Sequence, residues 1–170
     1  MGRMQFFPRP KKDIVDDYRA STGRRDKVLA FASGPRIEML AFTGHFSYRF
    51  NDQSWESVGW HEVYTGGWRA DGQEMHWRLV DGHKEAFQLA DEGQFPEVFR
   101  ERVQASVALE QSFEVPVRGD IIISARRDLA NASNEFIWHV RAVRGARLDD
   151  AETMALARRL EASLRADYDL

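Results

Sequence analysis

Residues 67–89 read GWRADGQEMHWRLVDGHKEAFQL, and this stretch contains two Asp-Gly pairs, Asp71-Gly72 and Asp81-Gly82. An Asp-Gly pair between alternating runs is a strong signal for a tight β-hairpin, because both residue types tolerate the positive φ that such a turn requires. The residues between the two turns alternate in polarity, as expected for a strand with one face in a core. The predicted inward residues are Met75, Trp77 and Leu79, and the predicted outward residues are Glu74, His76 and Arg78. The stretch therefore predicts three successive antiparallel strands.

The residues before this stretch predict a helix and a further group of strands. A short helix is predicted over residues 13–20, with Asp13 as its N-cap and Gly23 at its end. Apolar or alternating runs bounded by turn residues then predict strands at 27–33, 36–43, 45–50 and 58–64. The pair Gly66-Gly67 is expected to break the last of these strands.

The residues after this stretch predict two more helices around a second group of strands. Apolar residues recur every four positions over 95–107 and form one helical stripe: Phe95, Phe99, Val103 and Val107. Strands are predicted at 112–117, 120–127 and 136–142. A terminal helix follows, with Asp149 as its cap and Glu152 completing a capping box. Because the strands follow one another through tight turns without crossover helices, the predicted class is α+β with mostly antiparallel sheet.

The composition limits the chemistry that the chain can perform. The 170 residues fit one domain with an elaboration, and the absence of cysteine excludes disulfides, thiolate metal sites and cysteine nucleophiles. The sequence contains neither a phosphate-binding loop nor a Gly-x-Ser-x-Gly nucleophile elbow, and no two histidines have metal-ligand spacing. We therefore expect no catalytic residue, no metal and no cofactor. No stretch approaches the roughly 18 apolar residues of a membrane span, so we expect a cytoplasmic protein.

Charge is unevenly distributed along the chain, although the net charge is only −3. Residues 1–38 hold nine basic groups against five acidic ones, whereas residues 51–95 hold nine acidic groups against three basic ones. The net value gives no support for nucleic-acid binding, which we do not expect. The asymmetry has two interpretations: ordinary solvated faces, or a basic N-terminal arm that meets an acidic surface on this chain or on another.

Several segments resemble bacterial pleckstrin-homology-like domains, including their GRAM-type relatives. Residues 60–63 (WHEV) resemble the segment in which these domains place an apolar pair on an inter-sheet strand, and residues 75–89 resemble their final hairpin. The run over 95–107 (FPEVFRERVQASV) resembles an actinobacterial family of about this length that has no assigned activity. The resemblance implies a strongly bent antiparallel sheet or partial barrel formed by residues 27–89 and capped by the helix over 95–107.

The resemblance also implies a domain organisation. It predicts a flexible arm over 1–12, a pleckstrin-homology-like domain with its N-terminal helix over 13–107, and a strand meander with a terminal helix over 108–170 packed on the same core. Eukaryotic pleckstrin-homology domains bind phosphoinositides through basic residues of the first hairpin loop. Here that loop, residues 33–36, holds one basic residue, Arg36, so we do not expect phosphoinositide binding.

Candidate contact residues come from two sets of side chains. The aromatic residues that lie beside turns or in the arm, and that could contact a partner, are Phe6, Phe7, Trp55 and Trp68. Exposed aromatic rings are typical of protein–protein contacts, because they bury a large area and lose little conformational freedom. The polar residues that could line a cleft are His61, His76 and Arg78.

These residues support two functional hypotheses. The first is a non-catalytic binding or scaffold module that engages a protein partner or a second copy of itself through the aromatic set. The second is a small-molecule-binding barrel, with or without enzymatic activity, that uses the polar set. The arm also has two interpretations: it packs Phe6 or Phe7 onto its own sheet, which we favour, or it docks on a partner or a membrane surface.

Overall fold

The computed structural model describes residues 9–170, and this range contains three helices and ten strands. The helices are α1 (Lys11–Thr22), α2 (Phe95–Ser106) and α3 (Ala151–Tyr168). The strands are β1 (Ala30–Ser33), β2 (Ile37–Ala41), β3 (His45–Phe50), β4 (Glu56–Gly59), β5 (Val63–Arg69), β6 (Glu74–Leu79), β7 (Lys84–Gln88), β8 (Val107–Glu114), β9 (Asp120–Arg127) and β10 (Phe136–Val143). The chain divides into two compact units. The first comprises the residues up to Ala105 together with the short segment Leu129–Asn131, and the second comprises Ser106–Asp128 and Ala132–Leu170.

Two antiparallel sheets form the first unit. One has the strand order β1-β2-β3-β4 and the other has the order β5-β6-β7. Each pair joins strands that are successive in sequence, which confirms the predicted meander. The two Asp-Gly turns join β5 to β6 and β6 to β7, as the sequence predicts. The alternation along β6 is also confirmed, since Met75 and Trp77 are buried and Arg78 is exposed.

Both sheets and α2 bury their apolar side chains in one core. The largest aromatic side chains that these elements bury are Phe46, Trp60, Trp77, Phe95 and Phe99. Their rings contact one another at centroid distances between 5.0 and 6.3 Å, in tilted or edge-on arrangements. Such arrangements add to the stabilisation from burial, because the positive ring edge meets a negative ring face. The centre of this unit is therefore filled by aromatic rings.

The prediction that Gly66-Gly67 breaks a strand over 58–64 is wrong. β4 ends before a 3₁₀ turn at Trp60–Glu62, and β5 then runs through both glycines. The buried indole nitrogen of Trp60 anchors the turn, because it donates to the carbonyl of Phe42 at 2.9 Å. A Cβ atom at Gly66 would lie 2.8 Å from Cζ of Phe99, so glycine allows the ring from α2 to pack directly on the strand.

The helix predicted over 95–107 is confirmed except at its end. Phe95 and Phe99 are buried, and Val103 packs against the same core. α2 ends at Ser106, and β8 begins at Val107 without an intervening turn. The strand predicted at 112–117 accordingly starts earlier than expected.

The first helix packs on the face of β2 that points away from the main core. Its buried residues form a separate cluster with one residue of β2 and the residue that follows this strand: Ile14, Val15, Tyr18, Leu40 and Phe42. α1 begins at Lys11, so residues 11 and 12 belong to the helix and not to an arm. A full turn must precede Ile14 for its backbone nitrogen to find a carbonyl partner, which is that of Pro10 at 3.3 Å.

The two ends of α1 differ in how well the sequence predicts them. The prediction of Asp13 as the N-cap is wrong, because Pro10 occupies that position and no side chain caps the helix. Asp13 instead lies in the first turn, where a carboxylate interacts favourably with the helix dipole. Gly23 ends the helix as predicted, in the left-handed conformation with φ of 72°.

The second unit consists of one antiparallel sheet, in the order β10-β9-β8, and α3. β9 is the central strand, and its run of three isoleucines suits a strand that is covered on both faces. The residues that this unit buries most completely in its own cluster are Val115, Ile121, Ile123, Ala157 and Leu164. The terminal helix α3 contributes Ala157 and Leu164 to this cluster.

The prediction of Asp149 as the cap of the terminal helix is wrong by one residue. Asp150 is the N-cap, and its carboxylate accepts from the backbone nitrogen of Thr153 at 3.0 Å. Asp149 instead pairs with Arg147, whose hydrogen bond holds the pKa of the Asp149 carboxyl below its usual value. The sequence contains two adjacent carboxylates, and only the path of the backbone decides which one faces the helix.

The predicted class, α+β with antiparallel sheets, is confirmed. Within residues 9–170, none of the three sheets closes on itself in its strand order. The pleckstrin-homology-like identity and the predicted domain boundary after residue 107 stay predictions. In the same described range, no helix combines the length and apolar character that crossing a membrane requires.

Candidate functional site

A groove with a cationic rim lies between α1 and the segment that leads into β1. It has a volume of about 600 Å³, and we refer to it as the α1 groove. Its lining residues are Lys11, Lys12, Val15, Asp16, Arg19, Arg25, Lys27 and Val28. Five of these eight residues are basic and one is acidic, whereas the two valines provide an apolar floor. The groove therefore combines positive charge with apolar surface.

The local sequence explains how the cations come together. Lys11, Val15 and Arg19 are four residues apart, so they share one face of α1. Gly23 then turns the chain, and the extended segment that follows brings Arg25 and Lys27 to the opposite wall. All of these cations are exposed except Arg19, which is half-buried.

The rim cations of the α1 groove are not neutralised by ion pairs among residues 9–170. The neighbouring carboxylate of Asp17 is engaged elsewhere, since it lies 2.5 Å from Arg49 and 3.6 Å from Arg9. Asp16 lines the groove but forms no ion pair within the described range. Like charges around one groove repel each other, and an anionic ligand would remove that repulsion.

Arg49 holds α1 against the four-stranded sheet. Its guanidinium lies 2.5 Å from Asp17 of α1 and 2.8 Å from Glu38 of β2. The same group lies over the ring of Trp55, 5.1 Å from the centroid. Burial lowers the pKa of Arg49, but the hydrogen bond and charge of Glu38, together with Asp17, raise it overall. These contacts fix one wall of the α1 groove relative to the sheet.

A buried polar network provides a second attachment of α1 to the sheet. The hydroxyl of Tyr18 lies 3.2 Å from Nε2 of His45, and Nη1 of Arg24 lies 3.1 Å from the same nitrogen. Because a guanidinium can only donate, Nε2 must accept, which assigns the ring proton to Nδ1. Ser47 donates to the Tyr18 hydroxyl at 3.5 Å and shares a hydrogen bond of 2.7 Å with Ser57.

Replacing Tyr18 with phenylalanine should lower the free energy of unfolding by about 1–2 kcal/mol, because His45 and Ser47 each lose a buried hydrogen-bond partner. The measurement is urea unfolding followed by circular dichroism. The matched control is Tyr168→Phe, since Tyr168 is 51% exposed and its hydroxyl only accepts from Gln111 at 3.2 Å. That exposed change should alter stability by less than about 0.5 kcal/mol. Equal losses in the two variants would show that the Tyr18 network does not stabilise the fold.

The structure places Trp55 and Trp68, the two predicted aromatic residues that it describes, against different hydrophobic clusters. Trp55 is half-buried, packs edge-on against Tyr18 at a ring-centroid distance of 5.2 Å, and lies against the hydrophobic cluster that α1 forms with Leu40 and Phe42. Trp68 lies on β5 and packs against the main core. Phe6 and Phe7 lie outside the described residues. A partner contact through these four residues stays a prediction.

The structure brings together two of the three predicted polar residues. His76 and Arg78 line a second groove, of about 460 Å³, on the outer face of the three-stranded sheet. We refer to it as the His76 groove. His61 lies in the 3₁₀ turn and is not among the residues that line this groove.

The sequence predicts charge in the N-terminal third but does not predict the α1 groove. Lys11 and Lys12 are assigned there to an arm, and Arg19, Arg25 and Lys27 are not singled out. The signal that could have identified them is the excess of nine basic over five acidic groups in residues 1–38. Summed charge carries no information on which side chains share a wall, so the groove itself could not be located.

Neither a metal-binding arrangement nor a similarity to known proteins identifies the function. Across residues 9–170, no group of three or more histidine, aspartate or glutamate side chains is arranged to hold a metal ion. No family model, no curated protein and no solved structure matches the chain. Its function therefore has to be inferred from its own residues.

Proposed function

We propose that this protein is a non-catalytic binding module whose α1 groove receives an acidic segment of a partner protein. The observation that carries this proposal is the set of five basic residues around an apolar floor, with no ion pair among the described residues to neutralise them. Positive rims of this kind attract anionic partners and raise the rate of association. The apolar floor of Val15 and Val28 adds contact area for an apolar side chain of the same segment.

The lining of the α1 groove favours a peptide segment over other anions. The surface depression of about 600 Å³ includes Val15 and Val28, which offer contact to an apolar side chain that a small anion does not have. The net charge of −3 and the nine acidic groups against three basic ones over 51–95 give no support for a nucleic-acid ligand. The N-terminal residues 1–8 contain Arg3 and no acidic group, so their charge does not complement the groove.

The filled core supports binding at the surface rather than catalysis in an interior site. Rings from both sheets and α2 occupy the centre of the first unit, at centroid distances of 5.0–6.3 Å. An internal small-molecule site, the alternative function, would need that volume. A four-stranded sheet, a three-stranded sheet and the helix α2 surround one core. This arrangement also supports a pleckstrin-homology-like scaffold, and that resemblance favours a binding function.

Charge reversal in the α1 groove tests the proposal. A short synthetic peptide that alternates glutamate and leucine should bind the wild-type protein, and its glutamine counterpart should bind much more weakly. The double variant Arg25→Glu/Lys27→Glu should bind the acidic peptide about tenfold more weakly, because each exposed pair contributes roughly 0.2–1 kcal/mol. Fluorescence anisotropy of the labelled peptide measures the affinity.

The matched control is Arg158→Glu/Arg159→Glu, which makes the same charge change at exposed positions of α3. The control should bind as the wild type does, and the affinity of the wild type should fall as salt is raised. Equal weakening in both double variants would show that net charge, and not the groove, attracts the peptide. Binding to anionic vesicles without binding to the peptide would replace the protein partner by a membrane.

We also propose a cytoplasmic location. Fractionation of cells that express the protein from its native gene tests this location. Recovery of the protein in the membrane pellet after a high-salt wash would contradict it.

A further inference from the structure

We propose that the His76 groove is a second binding site, and that its ligand is a soluble phosphate monoester. The side chains that would hold the phosphate group lie on the outer face of β5, β6 and β7: Thr65, Arg69, His76, Arg78 and Lys84. The site is independent of the α1 groove, since the two share no lining residue.

The strand register brings these side chains into adjacent rows. One row places Thr65, Arg78 and Lys84 side by side on the three strands. The next row places His76 between Gly67 and Ala86. A Cβ atom at Gly67 would lie 4.0 Å from Cε1 of His76, so the imidazole lies beside the backbone of β5, and its Nδ1 atom is buried. The result is a depression with a histidine at its centre and cations around it.

The pairing of Arg78 with Lys84 is unfavourable unless an anion is present. The two residues are direct cross-strand partners on the same exposed face, and like charges in that position destabilise a sheet. Within residues 9–170, neither side chain forms an ion pair, whereas Arg69 is paired with Glu74 at 2.6 Å. A bound anion would neutralise this repulsion, which gives the pair a function that packing does not provide.

The other charged groups near His76 fit the same interpretation. Glu74 faces outward on the same strand, but it is engaged by Arg69. Glu85 also lines the groove, but its carboxylate is engaged by the ring of His83, 2.9 Å away. Burial, followed by the charge of Arg69, lowers the pKa of His76 below its usual value. The free site therefore holds a neutral imidazole beside an excess of positive charge.

The donor set selects the ligand chemistry. A guanidinium, an ammonium, a hydroxyl and an imidazole N–H all offer protons, so the complementary ligand is an oxygen-rich anion. A phosphate monoester carries about −1.5 to −2 charges at neutral pH and three acceptor oxygens, which matches the two unpaired cations. The groove volume of about 460 Å³ lies in the range of small-molecule sites.

Nuclear magnetic resonance titration tests the proposal with phenyl phosphate as the soluble monoester. We expect saturable shifts at the His76 ring and at the backbone of β6, together with a rise in the pKa of His76, because the bound dianion favours the imidazolium. The double variant Arg78→Gln/Lys84→Gln should lose the saturable shifts. The control Arg158→Gln/Arg159→Gln removes the same charge from α3 and should keep them. The sheet should remain folded in both variants, because all four substituted side chains are exposed.

Each outcome decides between the alternatives. Equal shifts with sulfate or chloride at the same ionic strength, or no shifts at His76, would overturn the proposal. Binding to vesicles that contain phosphatidic acid, without binding to phenyl phosphate, would also overturn it in favour of a membrane ligand. The α1-groove variant Arg25→Glu/Lys27→Glu should titrate like the wild type, so the two binding sites can fail separately.

Discussion

Replacing Phe46 with alanine should lower the free energy of unfolding by about 3–5 kcal/mol, which is the usual range for removing a buried aromatic ring. Phe46 is fully buried in β3. Its ring contacts aromatic side chains from both sheets of the first unit and from α2: Tyr48, Trp60, Trp77, Phe95 and Phe99. No other element could fill the space, because the surrounding rings belong to elements that are fixed by their own backbone hydrogen bonds. Urea unfolding followed by tryptophan fluorescence measures the loss.

The control for this prediction is the same substitution at the edge of the core. Phe87 is half-buried and contacts Tyr48, Phe50 and Trp77, so Phe87→Ala removes the same atoms from a site that water already reaches. Its loss should be clearly smaller than that of Phe46→Ala. Phe46→Leu keeps the comparison measurable if the alanine variant does not fold. Equal losses at Phe46 and Phe87 would contradict the central position of Phe46.

Replacing Gly34 with alanine should destabilise the protein by about 3 kcal/mol or more, at the upper end of what overpacking causes. A Cβ atom at this position would lie 2.1 Å from the backbone carbonyl oxygen of Gln88 and 3.0 Å from Cγ2 of Ile37. The first of these neighbours is backbone, and it cannot rotate away as a side chain can. The two segments are held together here, since the backbone nitrogen of Ser33 donates to the carbonyl of Asp91 at 2.9 Å.

A glycine in an open turn provides the control for Gly34→Ala. At Gly72 the nearest atom to a new Cβ would be 3.9 Å away, in the side chain of Glu74, so Gly72→Ala should change stability by less than about 1 kcal/mol. Thermal unfolding of both variants under the same buffer conditions measures the difference. Similar melting temperatures for the two variants would show that β7 does not pack against the first hairpin loop as described.

Much of the fold could be predicted from the sequence, because the decisive signals are local. The Asp-Gly turns and the alternation of Met75 and Trp77 depend only on neighbours in the chain, and both predictions are confirmed. The helical stripe of Phe95 and Phe99 is confirmed for the same reason. The errors concern features that a distant segment decides. Gly66 and Gly67 continue a strand because they pair with Trp77 and His76 of β6, and Phe99 of α2 packs against Gly66, a contact that no local pattern reveals.

The candidate sites could be predicted only in part. The sequence singles out His76 and Arg78, which do share a groove, but it groups them with His61, which does not line it. It does not single out Lys84, because the cross-strand pairing with Arg78 depends on register. The α1 groove could not be predicted from the sequence. Its two walls are α1 and the segment that leads into β1, and long-range contacts between α1 and the sheet hold them together.

The stretch over 67–89, with its two Asp-Gly turns, separates what the sequence determined from what only the tertiary structure decided. By itself the sequence determined that the chain forms antiparallel hairpins with one apolar face, because turn chemistry and side-chain alternation are properties of adjacent residues. Only the tertiary structure decided which charged side chains lie together on the other face. The register sets Arg78 against Lys84, and Arg49 holds α1 beside the sheet, so that scattered cations become two grooves. Electrostatic function depends on distances through space, and the order of residues along a chain does not specify those distances.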